Sequence, residues 1–223
     1  MHEIQRGALK YLTLGRGSRF SDVKPRGVES NRFMYHLRTL INDGLVKKSG
    51  TLYKLTTKGK NLADRVSIGS FEERIQPKIV TLIVCTRDDD GSYLLYRRGK
   101  QPFLGKIGFP YGKIHMGERV LEAAERELKE KTGLRADLTY RGDVYITVHD
   151  EEELVTQMLC HIFSGVNPAG VLTKNSSIGE CFWGLLERIP KEDDIPGVRQ
   201  VLKLVTSSEK PFFKEYFLDV HEG

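Results

Sequence analysis

The chain has 223 residues, 39% of them hydrophobic, enough for one large domain or two small ones with separate cores. No run approaches the roughly eighteen apolar residues of a membrane span, and the opening MHEIQRGALK has no apolar signal core, so the expectation is a cytoplasmic protein without a membrane partner. The net charge of +5 is unevenly placed: residues 1–66 hold 14 Lys or Arg against five Asp or Glu, while the remainder holds 21 against 25, a basic head on an acidic body.

In chain order, Ile4, Ala8, Leu9 and Leu12 recur at helical spacing and mark a first helix. Ser21 is placed to cap a short second helix ending before Pro25 and Gly27. Phe33, Leu37, Leu40 and Ile41 mark a third over 30–43, stopped by Gly44. Strands at 45–48 and 52–55 flank the turn Ser49-Gly50-Thr51, and a last helix runs from near Thr57 to about Val66. The segment SIGSFEERIQ, 67–76, carries the change of charge and is expected to be a linker.

Three helices and a hairpin in that order resemble a winged helix-turn-helix domain, here at 1–66. The resemblance makes 30–43 the recognition helix and 45–55 the wing. Arg32, Tyr35, His36 and Thr39 lie largely off the apolar stripe of the third helix and are the candidates for base edges; Lys47, Lys48 and Lys54 of the wing are the candidates for phosphates. Winged helices also serve as protein-docking modules, but nine surplus charges concentrated in the head favour duplex DNA as a partner. A two-fold DNA site would bring a homodimer with it.

In the body, 78–86 and 92–98 read as strands around the turn Asp88-Asp89-Asp90-Gly91, whose acids lack the alternation of a calcium loop. A second strand pair at 143–148 and 154–163 flanks the acidic turn 149–153. Cys85 and Cys160 sit in these apolar runs, and with Cys181 they show no ligand spacing, as expected of reduced thiols. Val198, Val201, Leu202 and Val205 mark a helix that packs on the sheet, and the aromatic segment 212–217 reads as core cover or a subunit contact.

The most informative stretch is 112–134, GKIHMGERVLEAAERELKEKTGL. Val120, Leu121, Ala124 and Leu128 predict an amphipathic helix over 119–132 with Gly133 as its stop. Glu127, Glu130 and Lys131 then share a face, with Arg126 beside them. A glycine-bearing loop at 108–113 precedes the helix and lets backbone approach a ligand closely. Carboxylates clustered on a rigid helix beside such a loop suit a hard cation that keeps phosphate oxygens in its shell. Taken alone, an EAAERELKEK string is more often a solvated helix face with supporting ion pairs.

The glycines, the Arg126-Glu127 pair and the flanking apolar residues together resemble the Nudix box, and the body 77–223 is identified as a member of the Nudix hydrolase family. That resemblance implies an α/β (α+β) fold, an α/β/α sandwich on a mixed sheet. It also implies hydrolysis by water, with Mg2+ or Mn2+, of a nucleoside diphosphate linked to another group. By the same match Glu127 is a metal ligand or base, Glu130 a second acidic ligand, and Arg126 the arginine that orients them. Glu118 matches the acid of the loop-to-helix region, Gly112 the loop glycine whose neighbouring carbonyl reaches the metal, and Glu180 a further acid that many members carry.

Lys131 departs from the pattern, standing where active members supply a second consecutive glutamate. Unit charges about 4 Å apart interact by about 4 kcal/mol at an effective dielectric of about 20, so a cation in place of a ligand reverses a term of that size. Weaker metal binding and slower hydrolysis are the expectation, with diphosphate binding retained or helped. The reading is therefore a metal-dependent hydrolase of reduced activity with a basic accessory domain, or an inactive ligand sensor in a transcription regulator. An interaction protein that uses neither site has no physical reason to keep the box.

Overall fold

The computed structural model describes residues 1–173, 175–176, 179–207 and 211–220. The chain divides into two compact units, Met1–Gln76 and Pro77–Gly223.

In the first unit, α1 (Glu3–Thr13) begins at His2, whose Nδ1 accepts from the Ile4 amide while Gln5 Oε1 accepts from the His2 amide. It buries Ile4, Ala8, Leu9 and Leu12, the four positions its spacing selects. A two-residue strand β1 (Ser18–Arg19) and a single turn α2 (Phe20–Val23) lead to α3 (Ser30–Asn42), closed by Gly44 at φ 72°. The hairpin β2 (Val46–Ser49) and β3 (Leu52–Leu55) is antiparallel, and β1 pairs on the other side of β3. Then α4 (Thr57–Arg65) starts at Thr56, whose Oγ1 accepts from the Gly59 amide. Residues 67–76, expected to be a linker, fold back on this unit. Ser67 N–H donates to Glu72 O at 2.9 Å, Val66 bridges to Glu73, and Phe71 is buried in the same core as Leu9, Phe33 and Leu37.

In the second unit the sheet contains β4 (Lys78–Thr86), β5 (Tyr93–Arg98), β6 (Ile107–Gly108), β7 (Tyr111–Lys113), β8 (Thr139–Asp150), β9 (Glu153–Val166), β10 (Asn175–Ser176), β11 (Gly179–Gly184) and β12 (Phe212–Asp219). Its main path runs β10-β11-β5-β4-β9-β8-β12, with β6 on β5 and β7 on β4. The sheet is mixed: β4 with β9 and β8 with β12 are parallel, the other pairs antiparallel. The central strand β4 is apolar on both sides, as a strand covered on both faces must be. Val80 and Val84 join a core with Val198, Val201 and Val205 of α6 (Val198–Thr206). Ile83 and Cys85 join a second with Ala124 and Leu128 of α5 (Val120–Thr132).

Two segments differ from their expected form. The glycine loop at 108–113 is pinned at both ends into the sheet through β6 and β7. The aromatic run after 211 is β12, hydrogen-bonded along β8 from Phe212↔Gly142 to Asp219↔His149, with Phe212, Tyr216 and Leu218 packed on the core and Phe213 and Phe217 exposed. Cys85, Cys160 and Cys181 are buried and free, the thiols of Cys85 and Cys160 pushed up to about 12 by burial. No helix among the described residues is long and apolar enough to cross a membrane.

Candidate functional site

Helix α5 ends at Gly133 in the left-handed conformation, φ 74°, where a Cβ would meet Val171 O at 2.7 Å. That stop, with Ala124 and Leu128 packed on the sheet, turns Glu127 and Lys131 toward β7. Gly112 of β7 lies directly beneath Glu127. A Cβ at 112 would come within 1.7 Å of the Glu127 carboxyl carbon, so the absence of a side chain makes the space that this carboxylate fills.

Arg126 organises the acids. Its Nε and Nη2 hold Glu118 Oε1 and Oε2 at 2.6 and 2.9 Å, a bidentate pair. Its Nη1 donates to Glu127 Oε1 at 2.7 Å and to Glu130 Oε2 at 3.3 Å, and Nη2 donates to the Lys113 carbonyl at 3.1 Å. The His115 amide adds a bond to Glu118 Oε2 at 2.9 Å. Arg126 and then that amide hold the Glu118 carboxyl down at about 2. One guanidinium thereby joins three carboxylates and the end of β7.

Lys131 occupies the other side of Glu127. Its Nζ lies 3.5 Å from Glu127 Oε2, donates to the Tyr111 carbonyl, and sits 5.0 and 5.4 Å from the ring centroids of Tyr111 and Tyr96. Burial pushes the ammonium below the usual lysine range, and Glu127 opposes that shift. The residues expected to hold Mg2+ or Mn2+ are thus brought together, but a cation of the chain's own stands among them. Both Glu127 oxygens face cationic side chains, and the Tyr111 carbonyl, the neighbour of Gly112, is already an acceptor for Lys131. Glu130 is largely exposed, and among the described residues no three His, Cys, Asp or Glu side chains gather at ligand range. This donor set, as it stands, does not fit a divalent cation.

Beside these residues opens a cleft of about 600 Å³, lined by Gly112, Glu127, Glu130 and Lys131 and also by Lys78, Arg98, Lys100 and Lys113. The size suits a small organic ligand. Arg98 is buried and spends its donors on neutral groups: Lys100 O at 2.9 Å, Gln101 O at 3.1 Å and the Tyr111 hydroxyl. A second cleft of about 680 Å³ on the other side of α5 contains none of Gly112, Glu127, Glu130 or Lys131.

Glu180 is not brought to this cluster. It stands opposite Arg97 on β11, and its neighbour Cys181 is the residue that packs toward α5. Sequence reasoning passed over Lys78, Arg98, Lys100, Lys113 and Tyr111. Only Lys113, inside the box itself, carried a positional signal.

In the first unit, Arg32 and Tyr35 project from α3 into solvent, while Thr39 is half-buried with its hydroxyl on Tyr35 O at 3.1 Å. His36 is placed otherwise: it is buried, stacked on His2 at 4.2 Å between ring centroids. Two residues on, Arg38 is exposed and was not anticipated. Lys47 and Lys48 are exposed, and Lys54 stands across the ladder from Lys47. Lys47, Lys54, Arg16 and Lys60 line a basic cleft of about 390 Å³.

Comparison with known proteins agrees with the architecture of the second unit. A mutator MutT protein from Bacillus halodurans superposes with a TM-score of 0.54 at 22% identity, over 66% of this chain and 93% of that one. The NUDIX domain of Shewanella oneidensis NrtR, solved with ADP ribose, superposes with a TM-score of 0.51 at 18% identity, over 67% and 97%. Likeness at such identities speaks for the fold. In sequence, an ADP-ribose pyrophosphatase of Methanocaldococcus jannaschii is 30% identical over 90 residues, 39% of this chain, which thus spans about half (52%) of that relative's length. The family model for the NUDIX domain matches residues 77–205, more than half of the chain, from β4 into α6, and the chain therefore belongs to the NUDIX family.

Proposed function

We propose that the second unit binds a nucleoside-diphosphate-linked metabolite resembling ADP-ribose in the cleft beside α5, and that hydrolysis there is slow or suppressed. NUDIX hydrolases generally use divalent metals such as Mg2+ or Mn2+ on pyrophosphate bonds. The single observation carrying the proposal is the Lys131 ammonium, held against Glu127 and the Tyr111 carbonyl. The ADP-ribose bound to the NrtR domain and the ADP-ribose pyrophosphatase relative support the ligand class.

The proposal extends to the first unit as a winged helix that binds duplex DNA, with Arg32, Tyr35 and Thr39 toward the bases and Lys47, Lys48 and Lys54 toward phosphates. Its support is the concentration of positive charge and the exposure of Arg32, Tyr35, Lys47 and Lys48. The chain then acts as a sensor in which ligand binding changes DNA affinity.

A hydrolase is the second reading, favoured by the complete Arg126, Glu118 and Glu127 arrangement. A panel of nucleoside-diphosphate substrates with Mg2+ or Mn2+, run on the native chain and on Lys131→Glu, separates the two. The sensor reading expects ligand binding without monophosphate release by the native chain, and turnover by the variant. Native turnover as fast as the variant's makes the protein a hydrolase. For the head, duplex affinity must fall steeply with salt, by about 0.9 in the logarithmic slope per phosphate contact; a flat dependence removes DNA from the account.

A further inference from the structure

The cleft beside α5 is unbalanced in charge. Five cationic side chains line it, Lys78, Arg98, Lys100, Lys113 and Lys131, against the two carboxylates Glu127 and Glu130. Both carboxylates are already matched, Glu127 by Arg126 and Lys131 and Glu130 by Arg126, and Arg126 is matched again by Glu118. Among the described residues, no carboxylate lies within ion-pair distance of Lys78, Arg98, Lys100 or Lys113.

Partnerless exposed lysines are ordinary on a protein surface. This group is different because two members are drawn inward. Arg98 is buried, its guanidinium answered only by carbonyls and a phenol, which satisfy its hydrogen bonds and leave its charge uncompensated. Lys78 is half-buried, its Nζ on Thr156 Oγ1 at 2.6 Å. Burial, and then the like charges of Lys113 and Arg98, push its ammonium below the usual lysine range. Like charges held together at the mouth of a cleft are relieved by an anion placed between them.

A divalent cation in a diphosphate site draws phosphate oxygens to a carboxylate-rich helix. Here that helix already has its cation, and the opposite wall from Lys78 to Lys113 is itself positive. We infer that this cleft binds a diphosphate directly through Lys78, Lys100, Lys113 and Lys131, with Arg98 supplying buried charge, and that it does so without a divalent metal. The inference rests on the proposed diphosphate reading of the same cleft and adds the means of recognition.

The test is calorimetric titration of the full chain with ADP-ribose, once in EDTA and once in Mg2+, on native protein and on Lys113→Ala and Lys78→Met. Each variant's thermal midpoint is measured alongside. The expected result is an affinity that agrees within about threefold between EDTA and Mg2+, and falls about tenfold or more in each variant, the loss of a charge-assisted contact. Binding that appears only with Mg2+ overturns this inference while leaving the ligand class intact, as does native affinity in both variants with unaltered midpoints. Absence of binding in either buffer overturns both the inference and the reading beneath it.

Discussion

Arg126 and Lys131 are five residues apart on one helix, and both reach the carboxylate of Glu127, yet they are held in different ways. Arg126 is enclosed by acids, its fork filled by Glu118, Glu127 and Glu130. Lys131 has one acid on one side and a carbonyl and two aromatic rings on the others. The first cation ties the helix to the strand before it. The second faces an open cleft whose far wall repeats its own sign. An identical charge on an identical carboxylate can thus be structural at one end of a site and available to a ligand at the other.

The sharpest way to break this arrangement is Gly112→Ala. Its methyl would occupy the position of the Glu127 carboxyl and force it off both cations at once. Overpacking of this kind costs typically about 1–3 kcal/mol, and the upper end, about 3 kcal/mol, is expected here because the carboxylate can make room only by giving up Arg126 and Lys131. Denaturant unfolding measures it. A cost below about 1 kcal/mol would mean that Glu127 moves freely, and the contrast between its two partners would lose its meaning.

Arg126→Ala comes next. It leaves Glu118 and Glu127 without their shared cation, and calorimetry should record a midpoint lowered by about 5 °C. Acid acts on the same pair from the other side. The folded Glu118 carboxyl titrates at about 2, held down chiefly by Arg126, whereas in the unfolded chain it has the ordinary value of 4.5. Stability from this pair is therefore fully present above about pH 4.5 and is lost as pH falls toward 2. Glu118→Gln should flatten the acid limb of the unfolding profile over that interval, lowering stability at neutral pH and converging on the native chain as pH falls toward 2. An acid limb as steep as in the native chain would show that other carboxylates govern it.

The contrast was only half legible in the sequence. Arg126, Glu127, Glu118 and Gly112 were readable because helical spacing and a single glycine determine where they meet. Lys131 was readable as a misplaced charge, but not as an ammonium resting on the Tyr111 carbonyl, since that contact depends on how β7 pairs with β4. The basic wall was invisible for the same reason. Lys78, Arg98 and Lys113 come from three strands, and only the sheet order places them around one opening. Local pattern also misjudged His36, which its polarity assigned to the exposed side of α3. Three residues after Phe33 and one turn before Leu40, it lies on the buried stripe with them. β11 went unread because its residues, GECFWG, offer neither alternation nor a β-branched run. The strand β12 depends on a partner some seventy residues earlier, which periodicity cannot see.

The smallest expected effect is the most discriminating. Lys131→Met keeps the length of the side chain, relieves the burial of an ammonium, and leaves Glu127 with Arg126 at 2.7 Å. Gains and losses of this kind nearly cancel at partly buried pairs, so the thermal midpoint should move by less than about 2 °C in either direction. Affinity for ADP-ribose in EDTA should nevertheless fall about tenfold, as expected when a charge-assisted contact to phosphate is removed. That combination, an indifferent fold and an impaired ligand site, is what separates a cation aimed at a ligand from one that holds a helix. A midpoint drop as large as that of Arg126→Ala would place Lys131 in the same structural role as Arg126, and the basic cleft would have to bind its ligand without it.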